Sequence, residues 1–183
     1  MIEQVLRWVR RSIKGENVTW QDIERFNPSW SLRIQSMAGA IVDSDRKVVD
    51  LGCGPMWLKE VLPPGIKYIG VDYKSRGPDT IVCDFNAFQF PEMDADVFFV
   101  SGCLEYVEDY EWFIERIATK GRKCIISYCC AGNTPEKKYR AKNAWVNHLS
   151  HENIVSIFNA NEMTLRETWQ VDSVNTCFVF EHA

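Results

Sequence analysis

From residue 44 onward, short apolar runs alternate with stretches of helical spacing, the pattern of a parallel sheet built from strand–helix–strand units. The runs at 47–51 (KVVDL), 68–72 (YIGVD), 80–83 (TIVC), 95–100 (ADVFFV) and 123–128 (KCIISY) predict five strands joined by crossovers. Residues 55–62 predict a short helix, stopped by Pro63, Pro64 and Gly65, and residues 109–119 a longer one. After a polar, basic loop, the spacing of Ile154, Val155, Ile157 and Phe158 predicts a helix over 151–159. The last two runs, 163–170 and 175–180, lie close enough in the chain to pair antiparallel. Upstream, a helix is expected over 29–42. A shorter amphipathic one carries Ile2, Val5, Leu6, Val9 and Ile13 on one face and Arg7, Arg10, Arg11 and Lys14 on the other.

At 183 residues the chain is long enough for one well-buried domain and short for two. The expected organisation is a helical extension over 1–43 and a core over 44–183. A formal net charge of −4 argues against a nucleic-acid binder, which carries a strong basic excess. No apolar run approaches the length that spans a bilayer, and no secretory leader pattern stands at the start, so the expected location is the cytoplasm. The seven cysteines include no CxxC pair, so neither a disulfide framework nor a zinc site is indicated. Cys53, Cys83, Cys103, Cys129 and Cys130 each fall at or just beyond the end of an expected strand, where small reduced thiols suit a crowded crevice.

Four stretches follow expected strands in order: VVDLGCG at 48–54, YIGVDY at 68–73, TIVCDF at 80–85 and FVSGCLEYV at 99–107. With the strand order, they resemble the class I S-adenosylmethionine (SAM)-dependent methyltransferases from about residue 34 to the end. The resemblance implies a Rossmann-like three-layer α/β sandwich. Its seven-stranded sheet would be mostly parallel, with one antiparallel strand near the edge. It further implies SAM as cofactor and S-adenosylhomocysteine as product.

The residue types suit that chemistry. Gly52 and Gly54 allow a sharp turn and close approach of a ligand around Cys53, and Pro55 suits the first position of the next helix. Asp50 is expected to steady this loop or attract the cofactor's amino group. Asp72, at the end of the second strand, has the lone pairs to accept both ribose hydroxyls, with Tyr73 beside it. By the family pattern Asp84 meets the adenine amino group, while Phe85 either packs on the ring or belongs to the core. Ser101 and Gly102 follow the fourth strand and complete the expected cofactor site. The sequence departs from the family at Met56, where a third glycine is usual.

Methyl transfer from a sulfonium asks the protein mainly to position the acceptor, with a base where a hydroxyl is methylated. The candidates are His148, on the loop after the fifth strand, and Glu105 and Tyr106, after the fourth. Each also has a plain structural reading at a helix entry. The Asn/Asp-Pro-Pro-Tyr/Phe motif of many amino-methyltransferases is absent, as are the acidic ligands of metal-dependent relatives, so no metal is expected. The remaining resemblance is to small-molecule enzymes, including some of bacterial surface-polysaccharide biosynthesis. A small-molecule or glycan acceptor, O-methylated in preference to N-methylated, is therefore expected, with a non-catalytic SAM-binding subunit as the alternative. Monomer and homodimer both fit. Trp30 and Arg33 are candidate pocket residues on a lid. The basic set Lys137, Lys138, Arg140 and Lys142 either attracts an anionic acceptor or is solvated, and the N-terminal basic helix either packs on the domain or touches a membrane surface.

Overall fold

The computed structural model describes residues 26–132 and 137–183. The amphipathic segment expected at 2–14 lies outside the described residues.

The elements run α1 (Trp30–Ala38), β1 (Lys47–Leu51), α2 (Trp57–Val61), β2 (Lys67–Asp72), β3 (Ile81–Val82), β4 (Ala95–Ser101), α3 (Tyr110–Lys120), β5 (Gly121–Tyr128), α4 (Lys137–Lys142), α5 (His151–Ala160), β6 (Met163–Gln170) and β7 (Thr176–His182). The seven strands form one sheet in the order β3-β2-β1-β4-β5-β7-β6. The first five pair in parallel, whereas β7 is antiparallel to both β5 and β6. This is the expected α/β Rossmann-like architecture, with its antiparallel strand one place from the edge.

The apolar runs are continuous because the central strands are buried on both faces. Val49, Leu51, Phe98, Val100, Cys124 and Ile126 point to one face and pack with Phe113, Ile117, Ile154 and Phe158 from α3 and α5. The alternate residues Val48, Val97, Phe99 and Ile125 point to the other and pack with Ile34, Met37 and Leu58 from α1 and α2. The period-two alternation thus makes three layers from one sheet.

Several boundaries differ from the sequence reading. Strand β3 contracts to two residues, β5 begins at Gly121, and α1 stops at Ala38. Lys137–Lys142 is helical where a loop was expected. The helix after β1 starts at Trp57, not Pro55, because Met56 takes a left-handed conformation (φ 60°, ψ 31°) at its entry. The backbone therefore keeps, at Met56, a conformation that favours glycine.

Beneath the sheet, the fully buried Asp45 receives Arg122 Nη2 and, at 2.9 Å, Lys123 Nζ. Its second oxygen also accepts the Val42 amide, so the loop after α1 is tied to β5.

Candidate active site

The sheet order reverses between β1 and β4. In open α/β sheets a ligand crevice opens there, at the carboxyl ends of the strands. Along this rim stand Asp84 beyond β3, Asp72 at the tip of β2, Gly52–Gly54 beyond β1, and Ser101, Gly102 and Glu105 from the end of β4 onward.

The glycine turn is close-packed. Gly52 has φ 80° and Gly54 φ 47°. A Cβ on Gly52 would lie 2.7 Å from Cys103 Sγ, and one on Gly54 would lie 2.4 Å from a ring carbon of Phe26. Cys53 is buried, and its amide donates to Val71 O at 3.0 Å, which ties the turn to β2.

Asp72 Oδ2 accepts the Gly54 amide at 3.0 Å and meets Arg76 Nε at 3.2 Å. Its other oxygen, Oδ1, is buried and meets no hydrogen-bond donor among the described residues. A buried acceptor left unmade costs free energy, which makes this oxygen a candidate to receive a donor. The Arg76 guanidinium lies 5.5 Å from the rings of both Tyr73 and Phe26. Asp50 is buried on β1 and accepts the Tyr68 hydroxyl at 2.9 Å. Burial pushes its carboxyl up to about 7, Tyr68 pulls it back, and the Asp72 charge pushes the same way as burial.

Asp84 Oδ1 accepts the Asn86 amide and so caps the turn Phe85–Ala87. Phe85 turns away from the rim into the core, its ring 4.8 Å from Phe113.

On the β4 side, Arg33 Nε donates to Ser101 Oγ at 3.0 Å, and the Gly102 amide donates to Ser127 Oγ at 3.1 Å. Glu105 is buried; its Oε1 accepts the Cys129 amide at 3.0 Å, while Oε2 meets no donor among the described residues. Burial raises its carboxyl above the ordinary range, against the pull of two backbone amides, Arg33 and Arg140. Tyr106 is half-buried, its phenol raised by burial and hydrogen-bonded by Trp145. His148 is exposed between buried Asn147 and Leu149. In this extended stretch alternate residues face opposite ways, so Asn147 is the side chain turned inward. Its Nδ2 donates to Leu104 O and Val107 O at 2.6 and 2.9 Å. Arg140, read from the sequence as a loop charge, is buried and donates to Cys129 O, Asn147 O and the Tyr128 hydroxyl. It locks the segment beyond β5 onto the rim. Lys142 is exposed, and the Lys137 and Lys138 side chains lie outside the described residues.

Arg76 and Asn147 were not singled out from the sequence. Arg76 alone carried a local signal, since it stands four residues after Asp72 on the turn that follows β2. Past the end of β5 a cleft of about 440 Å³ is lined by Cys130, His151, Glu152, Trp169, Gln170 and Thr176. Among the described residues, no group of three or more His, Cys, Asp or Glu side chains is placed to hold a metal ion.

Solved structures share this architecture. A Burkholderia thailandensis 1,6-didemethyltoxoflavin-N1-methyltransferase, bound to 1,6-didemethyltoxoflavin and S-adenosylhomocysteine, aligns with 99% of this chain and 90% of its own. Its TM-score is 0.69 at 13% identity. The chain has the class I methyltransferase fold. Mitomycin 7-O-methyltransferase aligns over 97% of this chain and 66% of its own, with TM-score 0.68 and 15% identity. Human N-acetylserotonin methyltransferase, in complex with SAM, covers 90% of this chain and 56% of its own, with TM-score 0.67 and 14% identity. The chain thus spans between half and two thirds of the length of these last two enzymes. No protein-family model and no curated protein matches the sequence.

Proposed function

We propose that this protein is a SAM-dependent methyltransferase acting on a small-molecule acceptor. The observation that carries the reading is Asp72 Oδ1, a buried carboxylate oxygen without a donor among the described residues, at the tip of β2 beside a glycine turn at the sheet's switch point. A ribose hydroxyl supplies the missing donor. Asp84 takes the adenine end, Asp50 draws the cationic amino group, and the Gly52–Gly54 turn lets the tail lie close to the backbone. The donor of the reaction brings a methyl group already activated on a positive sulfur.

The remaining work falls to the chain's own residues. Glu105 is the candidate base, because Oε2 has no partner among the described residues and burial raises its affinity for a proton. Cys129 and the Arg140–Asn147 lock hold it in place. Tyr106 is a hydrogen-bonding wall, and exposed His148 is the weaker candidate. The cleft beside Cys130 suits an acceptor bearing hydroxyl or amine groups, since Glu152, Gln170 and Thr176 present polar atoms around the Trp169 indole. Relatives of this fold whose names specify toxoflavin, mitomycin and N-acetylserotonin chemistry favour a small acceptor over a glycan or a macromolecule. Hydroxyl methylation is preferred because it is the case that needs a buried base.

Calorimetry with S-adenosylhomocysteine tests the reading. Wild-type protein is expected to bind it, and Asp72→Ala to lose tenfold or more in affinity, on the order of a charged hydrogen bond. No heat with either protein defeats the proposal.

A further inference from the structure

Arg33 stands on α1 and crosses to the far wall of the crevice. Nε is spent on Ser101 Oγ at 3.0 Å, which fixes the plane of the guanidinium. Its Nη2 lies 2.6 Å from where a Cβ on Gly102 would stand, and Gly102 has φ 63°. The left-handed backbone at 102 favours glycine, and the missing side chain leaves the space that the guanidinium occupies. The Trp30 ring flanks it at 6.0 Å. Among the described residues, neither Nη1 nor Nη2 meets an acceptor. Glu105 and Asp172 lie within its electrostatic reach, and neither forms an ion pair with it. An oriented guanidinium edge with its donors unspent matches a planar oxyanion in the two-pronged manner particular to arginine.

We propose that Arg33 is a carboxylate-binding residue at the β4 end of the crevice. The proposal rests on the adenosyl reading for its first source of carboxylate, the amino-acid tail of the ligand. With the nucleoside at Asp72 and Asp84 over β2 and β3, the extended tail runs across β1 toward β4, where Arg33 waits. The second source is an acidic acceptor entering from the β5 side. Both present the same group to the same donors.

The experiment uses the full chain and two variants, Arg33→Gln and Arg33→Lys, in calorimetry with S-adenosylhomocysteine and with 5′-methylthioadenosine, which lacks the carboxylate. Benzoate titrated into the S-adenosylhomocysteine-loaded protein is the probe for the acceptor side. Thermal unfolding of each variant accompanies the titrations. If the tail is the source, Arg33→Gln weakens S-adenosylhomocysteine roughly tenfold to a hundredfold, leaves 5′-methylthioadenosine unchanged, and Arg33→Lys recovers only part of the loss. If the acceptor is the source, both nucleosides bind as before and benzoate binding is lost in Arg33→Gln. Equal weakening of both nucleosides, or no change in any titration, overturns the proposal. Should wild-type protein bind neither nucleoside, the adenosyl reading falls by itself. Benzoate binding by the unloaded wild-type protein, and its loss in Arg33→Gln, then decides the role of Arg33.

Discussion

The Arg76 guanidinium reaches the Asp72 carboxylate at 3.2 Å with both side chains almost fully buried, so each offsets the other's charge where water cannot. Removing one member of such a pair leaves an uncompensated buried ion. Arg76→Met is expected to destabilise the protein by about 3 kcal/mol in denaturant unfolding. The double variant with Asp72→Asn should lose less than the sum of the two singles, because the stranded charge is gone. Strict additivity would show that the two side chains act independently.

Asp50 carries a second consequence of burial. Its carboxyl is raised to about 7, so the folded state holds a proton that the unfolded chain releases near the ordinary value of 3.8. Its contribution to stability is full below that ordinary value and is lost as pH rises toward about 7, levelling off above. Asp50→Asn keeps the acceptor for Tyr68 and removes the titration. Its stability advantage over wild type should grow across that window to at most a few kcal/mol. An advantage that does not change with pH contradicts the assignment.

Glu105 is expected to set the acid limb of the pH–rate profile. Its proton affinity is raised by burial, so activity should fall with decreasing pH above the range of an ordinary carboxylate. Glu105→Gln should lower kcat by roughly a hundredfold or more and flatten that limb, with S-adenosylhomocysteine affinity little changed. His148→Ala should leave kcat within a factor of about two, since an exposed imidazole is not placed by its surroundings.

Met56 holds φ 60° at the entry to α2. Met56→Gly relieves the left-handed strain and is expected to stabilise by about 1 kcal/mol, read as a rise in Tm. The contact of its Cε with the Gly77 turn, 3.1 Å from a Cβ built there, is lost in that variant. A fall in Tm means that this packing outweighs the strain.

Asp45 is fully buried and receives both Arg122 and Lys123. Asp45→Ala leaves the Lys123 ammonium, 4% exposed, with Glu181 at 3.3 Å and the Ala40 carbonyl at 3.4 Å, and is expected to cost about 3 kcal/mol or more. Equilibrium unfolding in urea reads it directly.

The strands were legible because double-sided burial writes itself as unbroken apolar runs, and the glycine turn and Asp72 because their offsets are local. Helix α4 was not legible, since KKYRAK shows no apolar stripe of its own. Arg140 looked like its lysine neighbours because its burial is decided by Tyr128, Cys129 and Asn147, which tertiary folding brings to it. The choice between Asn147 and His148 is a matter of one residue in an extended stretch, where the side that faces inward is set by contacts with Leu104 and Val107 rather than by residue type. Phe85 similarly packs on Phe113, a residue in the first turn of α3 that the fold brings to it.

Phe26 lies across the Gly54 turn and against Trp30, Trp57 and Arg76. The roof over the bend is therefore contributed by the stretch leading into α1 rather than by the sheet that forms the floor. Traffic through the crevice and grip within it become separable properties. Shaving the ring to alanine should quicken both arrival and departure of an adenosyl compound, visible in stopped-flow traces, while the carboxylate on β2 goes on setting how much is held at equilibrium.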